Sequence, residues 1–425
     1  MFSGSTRILL DQLTATALKT RLPIPAAVAG QRGMVAKAAS ACFDIVECLR
    51  TGRRLPSIGE PEKAAAAGTV GRAPQHPRQL TYWYDPDRHV LAGLSLGIDV
   101  IKRADKFYII ENNLGAAMRP ERRRLYDTPF DPIVLGLVTA AREAGFRTLV
   151  PYAHRWSDFY IQEFRQAGED LGVDVRPACS PGIQSNGMQT LAGLSTPLPE
   201  STMYSFFDSR NTAIDHFVHS KTISAEWLRH GLSMQNNRDG LLDLVRTENR
   251  LFVPAVDDDR WPNLAVKLDG WDKGEFVAVC RFETEAQARE ALGLRHDADR
   301  PRIFDLGIGR RLSARLLQKG NPVYQEFIAP DCDPAGRPIK FRVHAFLSPL
   351  FDRFLSAHAM VAPDAPTERM QPGEVRKDGT LVLSFSKGAK YTALMPGLEP
   401  QLERVSGEFA RLLSGAITER FETGP

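Results

Sequence analysis

The sequence predicts an α+β protein with an α/β subdomain. Three patterns carry that prediction: a hairpin marked by acidic residues over 97–113, alternation of helix and strand from Asp131 to Arg176, and a run of antiparallel strands over 336–395 closed by a long amphipathic helix. Alternating helix and strand marks a parallel sheet covered by helices, whereas grouped strands followed by a helix mark an α+β layer. At 425 residues, 43% hydrophobic and 25% charged, the chain has the length for two or three domains and a large buried core.

Each element follows from its own pattern. Residues 5–52 read as mostly helical, broken by Pro23 and Pro25, with the clearest amphipathic run over 34–49. Residues 53–78 carry Pro, Gly, Ala and charge without periodicity and read as a loop. Strands are expected over 80–84, 94–101 and 107–111, the last two joined by a turn at Ala104-Asp105-Lys106. An apolar-faced helix over 133–144 ends at Gly145 and precedes a strand over 147–151; a second helix over 157–171 ends at Gly172 and precedes a strand over 173–176. This is the signature of a small parallel sheet. Residues 215–330 read as a smaller α+β unit that includes a helix over 222–230. The chain closes with a helix over 399–421, where Leu402, Val405, Phe409, Leu412, Leu413 and Ile417 recur at helical spacing.

Composition excludes several classes. The net charge of +3 is dispersed, and the densest basic cluster, Arg119 with Arg122, Arg123 and Arg124, is too short for a nucleic-acid surface. The five cysteines are scattered with no Cys-x-x-Cys pair, which suggests neither zinc nor a disulfide framework and fits a reduced cytoplasm. No apolar run approaches a signal peptide or the roughly 20 residues of a membrane span, so a soluble cytoplasmic protein without nucleic-acid or membrane partners is expected. Gly307-x-Gly309 lacks the third glycine of a dinucleotide fingerprint. Since dimers are the commonest assembly, a homodimer is the expected state.

The chemistry concentrates in five places. In the hairpin, Asp99 is expected to face Glu111, with Asn113 two residues further along the same face. Three oxygen-bearing side chains on one patch suit a hard cation such as Mg²⁺; the plain alternative is a solvated polar hairpin face. Lys267 stands at the end of a strand before a loop containing Gly270, Lys273 and Gly274. A lysine point charge beside close-approaching glycine backbone suits a phosphate, though an ordinary hairpin with one exposed lysine has the same pattern. Lys221 begins the 222–230 helix, where a lone lysine is usually just solvated. Gln325, Glu326, Phe327 and Ile328 end an apolar strand whose backbone could read an adenine edge, as any buried strand end could. Finally, 339–346 alternates with period two, placing Lys340, Arg342 and His344 on one face; Arg342 could hold a phosphate or developing oxyanion, or the face could be basic and solvated. His154, His216, His219 and His344 read as structural or surface histidines, and Asp257-Asp258-Asp259 as a solvated turn.

In this order and spacing, Lys221, the Lys267 loop, the 325–328 strand end and the Arg342 strand resemble the ATP-grasp enzymes over most of the chain. One part is displaced. The paired Asp and Glu-x-Asn strands usually come last in that family, whereas here they stand at 94–113. The chain is therefore similar to circularly permuted ATP-grasp proteins, in plan like the glutathionylspermidine-synthetase-like and eukaryotic glutathione-synthetase-like ligases. The resemblance implies a pre-ATP-grasp parallel sheet plus two α+β ATP-grasp subdomains. It divides the chain into an N-terminal helical segment and loop (1–79), a metal-binding hairpin belonging to the C-terminal subdomain (80–118), a pre-ATP-grasp domain (119–214), a lid subdomain (215–330) and a C-terminal subdomain (331–425). It also implies that the C-terminal helix lies beside residues 30–52 and the hairpin.

Carried over by position, the resemblance makes Asp99, Glu111 and Asn113 the Mg²⁺ ligands. Lys221, Lys267, Gly270, Lys273 and Gly274 would hold the phosphates of ATP, and Gln325, Glu326, Phe327 and Ile328 would border the adenine. Arg342 and Lys267 would be catalytic, and Ser386, Lys387 and Gly388 would lie near the acceptor substrate; Arg119, which follows the hairpin directly, could meet an acidic substrate or phosphate, or belong to a solvated run flanking a helix. The sequence departs from the family at Lys340, where an Asp is common, at Ser384, where Asn is common, and at Ala389, where Gly is common. The implied reaction is ATP-dependent joining of a small-molecule carboxylate to an amine through an acyl phosphate. The alternatives are a kinase of the same fold that stops at phosphoryl transfer, and a nucleotide-binding protein with degraded catalysis.

Overall fold

The computed structural model describes residues 81–115, 127–153, 158–179, 200–207, 213–234, 240–258, 260–269, 277–296, 321–366, 369–377 and 388–422, with isolated positions between these stretches. The expected helices over 5–52, the loop over 53–78 and the cluster Arg119, Arg122, Arg123 and Arg124 lie outside the described residues.

Strand β1 (Trp83–Asp85) pairs antiparallel with β2 (Val90–Arg103), whose period-two sequence fixes its two faces. The even-numbered residues Val90, Ala92, Leu94, Leu96, Ile98 and Val100 enter the main core, leaving Gly93, Ser95, Gly97 and Asp99 on the other face. In the pairing of β2 with β3 (Lys106–Leu114), Arg103 stands opposite Lys106, so the turn is Ala104-Asp105 alone rather than the expected three residues. Ala104 takes a left-handed φ of 52° to close it. A turn this tight would by itself set Asp99 against Ile110. A bulge between Asp99 and Val100 absorbs one residue and brings Glu111 back opposite Asp99.

Gly115 ends β3 at φ +97°, with its N–H bonded to Ser95 O at 2.8 Å. A Cβ there would stand 2.1 Å from the backbone oxygen of Phe207, so only glycine lets the strand end pack. Gly115→Ala is expected to lose about 1–3 kcal/mol in denaturant unfolding. A loss below about 0.5 kcal/mol would show that this strand end is not held.

Helix α1 (Pro132–Glu143) begins where Asp131 caps the Ile133 N–H at 2.9 Å and Pro132 takes the first turn. It is followed by β4 (Thr148–Ala153), α2 (Asp158–Leu171), the two-residue strands β5 (Asp174–Val175), β6 (Ala178–Cys179) and β7 (Gln189–Thr190), and β8 (Thr202–Phe206). All pairings among β4 to β8 are parallel, as the alternation predicts. The parallel strands do not form a separate small sheet, however. β8 also pairs parallel with β2, and the Ser95 and Ser205 hydroxyls bond at 2.7 Å across that junction. An unpaired β8 edge in the interior would strand its backbone polar groups, and β2 satisfies them.

Helices α3 (Ala213–His219) and α4 (Ile223–Met234) lead to β9 (Leu242–Leu244), which pairs parallel with β3. The chain then builds a second, antiparallel sheet from β10 (Thr247–Glu248), β11 (Leu264–Leu268), β12 (Val277–Cys280) and β13 (Pro322–Glu326). Helix α5 (Glu285–Leu292), capped by Thr284 and by left-handed Gly293, packs Ala288 and Leu292 with Leu264, Val266 and Tyr324 of that sheet. Strands β14 (Ile339–Leu347) and β15 (Asp352–Val361) return to the first sheet. β16 (Val375–Arg376) completes the five-stranded sheet, and β17 (Lys390–Thr392) extends the twelve-stranded one. Helix α6 (Glu399–Glu422) closes the described chain.

The protein is thus mixed α+β: one twelve-stranded mixed sheet, one five-stranded antiparallel sheet and six helices among the described residues. The positions of α6 expected to be apolar, including Leu402, Val405, Phe409 and Ile417, are fully buried together with Ile98, Val343 and Phe217. That core covers the face of the large sheet opposite Asp99. On the Asp99 side, α1 and α2 pack against Leu91, Met203 and Phe346 and leave the Gly97–Asp99 end of β2 to polar neighbours. Among the described residues no helix is long and apolar enough to cross a membrane.

Candidate active site

Three adjacent strands set the floor of the site. Asp99 on β2 stands opposite Glu111 on β3 and Arg342 on β14. The guanidinium grips the Asp99 carboxylate at both oxygens, Nε to Oδ1 at 2.6 Å and Nη2 to Oδ2 at 2.8 Å. Lys340, two residues before Arg342 and on the same face, adds Nζ to Oδ2 at 2.8 Å. Asp99 is 1% exposed and Lys340 6%. Burial alone would push the Asp99 carboxyl up, but Arg342 and then Lys340 outweigh it and hold the group far below the usual carboxylate range. Burial likewise works against the Arg342 charge, and Asp99 more than restores it.

The five-stranded sheet supplies the opposing side. Lys267 on β11 is 6% exposed and donates Nζ to Gln325 Oε1 at 2.6 Å. Gln325 in turn donates Nε2 to the Ile110 carbonyl and to Thr247 Oγ1, each at 2.8 Å. One glutamine side chain therefore ties β13, β11 and β10 to the bulged strand of the hairpin. Lys221, just before α4, reaches Glu111 Oε1 at 3.1 Å. Its backbone N–H donates to Asp269 Oδ1 at 3.0 Å, and Ser220 Oγ donates to Asp269 Oδ2 at 3.3 Å. Asp269 lies two residues after Lys267, so the strand that carries one lysine also positions the other.

These six groups feel one another. Burial would raise the Glu111 carboxyl, but Lys221 and then Lys267 bring it below its ordinary value, so it is ionised. Burial pushes Lys267 down to about 8, against the pull of Glu111. Four cations (Lys221, Lys267, Lys340, Arg342) surround two carboxylates (Asp99, Glu111), and among the described residues no carboxylate lies within 4 Å of Lys267. A buried net positive charge is unfavourable until an anion joins it. The arrangement is chemically suited to a polyanion.

Asp99, Lys267, Lys340 and His344 are buried rather than solvated, while Glu111, Asn113 and Arg342 are partly exposed. Asn113 shares the Glu111 face and donates Nδ2 to Gly97 O at 3.4 Å. At the end of β13 the N–H groups of Glu326 and Phe327 bond to Arg246 O and Asn263 O, both at 2.9 Å. The Phe327 ring stacks on Trp261 with centroids 6.3 Å apart, beside a pocket also lined by Arg103, Asp258 and Glu326. Ile328 packs with Ile101 and Val245. Gly388 is an exposed turn residue at φ +92°, where a Cβ would meet only Pro363. Gly270, Lys273, Gly274, Ser386, Lys387 and Arg119 lie outside the described residues. The sequence reading missed Asp269 and Thr247, and it placed Lys340 on the Arg342 face without giving it a role. Period-two spacing from Lys267 and from Arg342 was the available signal for Asp269 and Lys340.

Among the described residues no group of three or more His, Cys, Asp or Glu side chains is arranged to hold a metal ion. Two carboxylates and an amide are nevertheless the donors that Mg²⁺ takes, and their uncommitted oxygens decide which of them fit. Glu111 has Lys221 on Oε1, no described donor on Oε2, and a side chain 19% exposed. Asn113 has its amide nitrogen on Gly97 O, and its amide oxygen is the atom of this side chain that can take a cation. These two fit a hard cation. Asp99 does not: three N–H donors already occupy a carboxylate that offers about four lone-pair positions.

No family model and no curated protein matches the chain. Among solved structures it is similar to a protein from Methylobacillus flagellatus KT provisionally named a gamma-glutamylcysteine synthetase. The identity is 12%, the match covers 76% of this chain and 89% of that one, and the TM-score is 0.40. The likeness is too distant to bear on function.

Proposed function

We propose that the protein is an ATP-dependent carboxylate–amine ligase of ATP-grasp type, circularly permuted and cytoplasmic, which forms an amide bond through an acyl phosphate. One observation carries the reading: among the described residues a largely buried cluster gathers four cations around Asp99 and Glu111, with Asp269 at its edge, assembled from both sheets and with fewer carboxylates than cations. A triphosphate supplies the missing negative charge. Lys267 and Lys221 would bind its phosphates, and the Trp261–Phe327 pair beside the β13 end would offer a planar surface for the base. The permuted order is supported by the direct pairing of an early hairpin strand, β2, with a late strand, β14.

A carboxylate does not react usefully with an amine because the leaving group would be oxide. In the proposed reaction a carboxylate oxygen attacks the γ-phosphorus and ADP departs with the broken P–O bond. The amine nitrogen then attacks the acyl carbon, phosphate leaves, and the amine proton passes to solvent. Arg342, held by Asp99, keeps a fixed guanidinium for the phosphoryl and acyl oxyanions, and the lysines neutralise the phosphates without changing position. Mg²⁺, held by Glu111 and Asn113, would supply charge neutralisation at the phosphates.

Coupled ADP-release assays over candidate acids, with and without amines, test the proposal. ADP and free phosphate are expected together only when acid and amine are both present. A stable phosphorylated acid formed at full rate without amine identifies a kinase, and ATP binding without ADP release identifies a binding protein. Glu111→Ala is expected to lower turnover about 10²–10³-fold; unchanged turnover and ATP affinity would remove this site from the chemistry.

A further inference from the structure

The geometry points to Lys340 as a resident cation at Asp99, standing where a second divalent ion would otherwise bind, so that the site loads one divalent cation per nucleotide, at Glu111 and Asn113. The inference rests on the nucleotide-binding reading above. Sites of phosphoryl transfer neutralise a polyphosphate with one or two divalent ions held by carboxylates. Here the two available carboxylates differ sharply. Asp99 Oδ1 accepts from Arg342 Nε, and Oδ2 accepts from both Arg342 Nη2 and Lys340 Nζ. Its side chain is enclosed, as is that of Lys340, and Mg²⁺, which gives up its water reluctantly, has no space there for a hydrated shell. An ion approaching Asp99 would also meet an ammonium and a guanidinium already within 3 Å of the same oxygens.

Lys340 does not reach Asp99 from a flexible tether. It stands on β14 opposite Met360 of β15, two residues from Arg342, so its place in the sheet is fixed by strand register. An ammonium there neutralises negative charge as a metal ion would, as a point charge that cannot dissociate. Among the described residues no donor stands on Glu111 Oε2, its side chain is partly exposed, and Asn113 lies two residues along the same strand face with its amide nitrogen on Gly97 O. The cation-accepting oxygens therefore lie on β3 and the cation-excluding ones on β2.

The test counts Mn²⁺ bound to the full chain saturated with adenylyl imidodiphosphate, by electron paramagnetic resonance and equilibrium dialysis. The wild type is expected to hold one Mn²⁺ per bound nucleotide with no Mn–Mn dipolar broadening. Two coupled ions on a bound nucleotide overturn this inference alone. Lys340→Ala, which removes both the charge and the hydrogen bond to Oδ2, is expected to raise the count from one to two. A count that stays at one in a folded variant shows that Lys340 is not what excludes the ion and also overturns the inference; if the variant does not fold, the wild-type count decides. A wild type that binds no nucleotide by calorimetry overturns the nucleotide reading itself, and this inference with it.

Discussion

Asp99→Ala is expected to lose about 3–5 kcal/mol of folding stability with no ligand present, the usual result of removing one partner from a buried charge network. The loss arises because Lys340 and Arg342 would remain enclosed, facing each other without the carboxylate that now accepts three hydrogen bonds from them. Urea unfolding of the unliganded protein measures it. The Asp99→Ala/Lys340→Met pair is expected to recover part of the loss, since it withdraws one of the two stranded charges. The sign with pH follows from the depressed carboxyl. A group whose folded value lies below its unfolded value near 3.8 stabilises the protein above that pH and loses the contribution as pH falls below it. A side chain that served only as an open metal ligand would leave the ligand-free stability of Asp99→Ala unchanged, and that result would dismantle the site as described.

Lys267→Met is expected to act in opposite directions on binding and on stability. ATP affinity and turnover should fall at least 10²–10³-fold, because the cation that β11 contributes to the cluster is gone. The unliganded protein, by contrast, should be stabilised at pH 7 by roughly 1–3 kcal/mol, the order of the shift from 10.5 to about 8 that burial imposes on this ammonium. Between pH 8 and 10 the unfolded chain binds the Lys267 proton more tightly than the folded one, so wild-type stability rises over that window, and the rise should be smaller in the variant. Binding of an anionic nucleotide favours the protonated lysine. Affinity should therefore weaken as pH climbs through 8, with proton uptake on binding seen by calorimetry in buffers of different ionisation enthalpy. Equal loss of stability and affinity in Lys267→Met would instead mark the lysine as a plain structural group.

The opposition of Asp99 and Glu111 was legible in the sequence, and for a reason: acidic residues at matching distances from a turn converge on one face of any antiparallel pair. The route to it was not legible. A two-residue turn and a compensating bulge give the same opposition as the symmetrical three-residue turn, and nothing in Ala104-Asp105-Lys106 distinguishes the two outcomes. The face shared by Lys340, Arg342 and His344 was visible as period-two alternation, whereas its burial was not, because a basic strand face looks the same solvated or enclosed. Gln325 shows the limit most plainly. As a residue near a strand end it read as a neighbour of a bound base, and the fold commits its side chain to Lys267, Ile110 and Thr247, partners up to 215 residues away.

Local pattern alone determined the helices α1, α2 and α6, the alternating strands and the pairing of the hairpin, since these depend on apolar spacing, capping residues and glycine punctuation within a few residues of one another. Tertiary structure decided that the parallel strands and the hairpin share one sheet, that Lys221 meets Glu111 while Gln325 ties Lys267 of the second sheet to the hairpin, and that Asp99 is closed by Lys340 and Arg342. Those outcomes turn on long-range strand pairing and on the electrostatics of a water-poor interior, where charge must be matched by groups far apart in the chain.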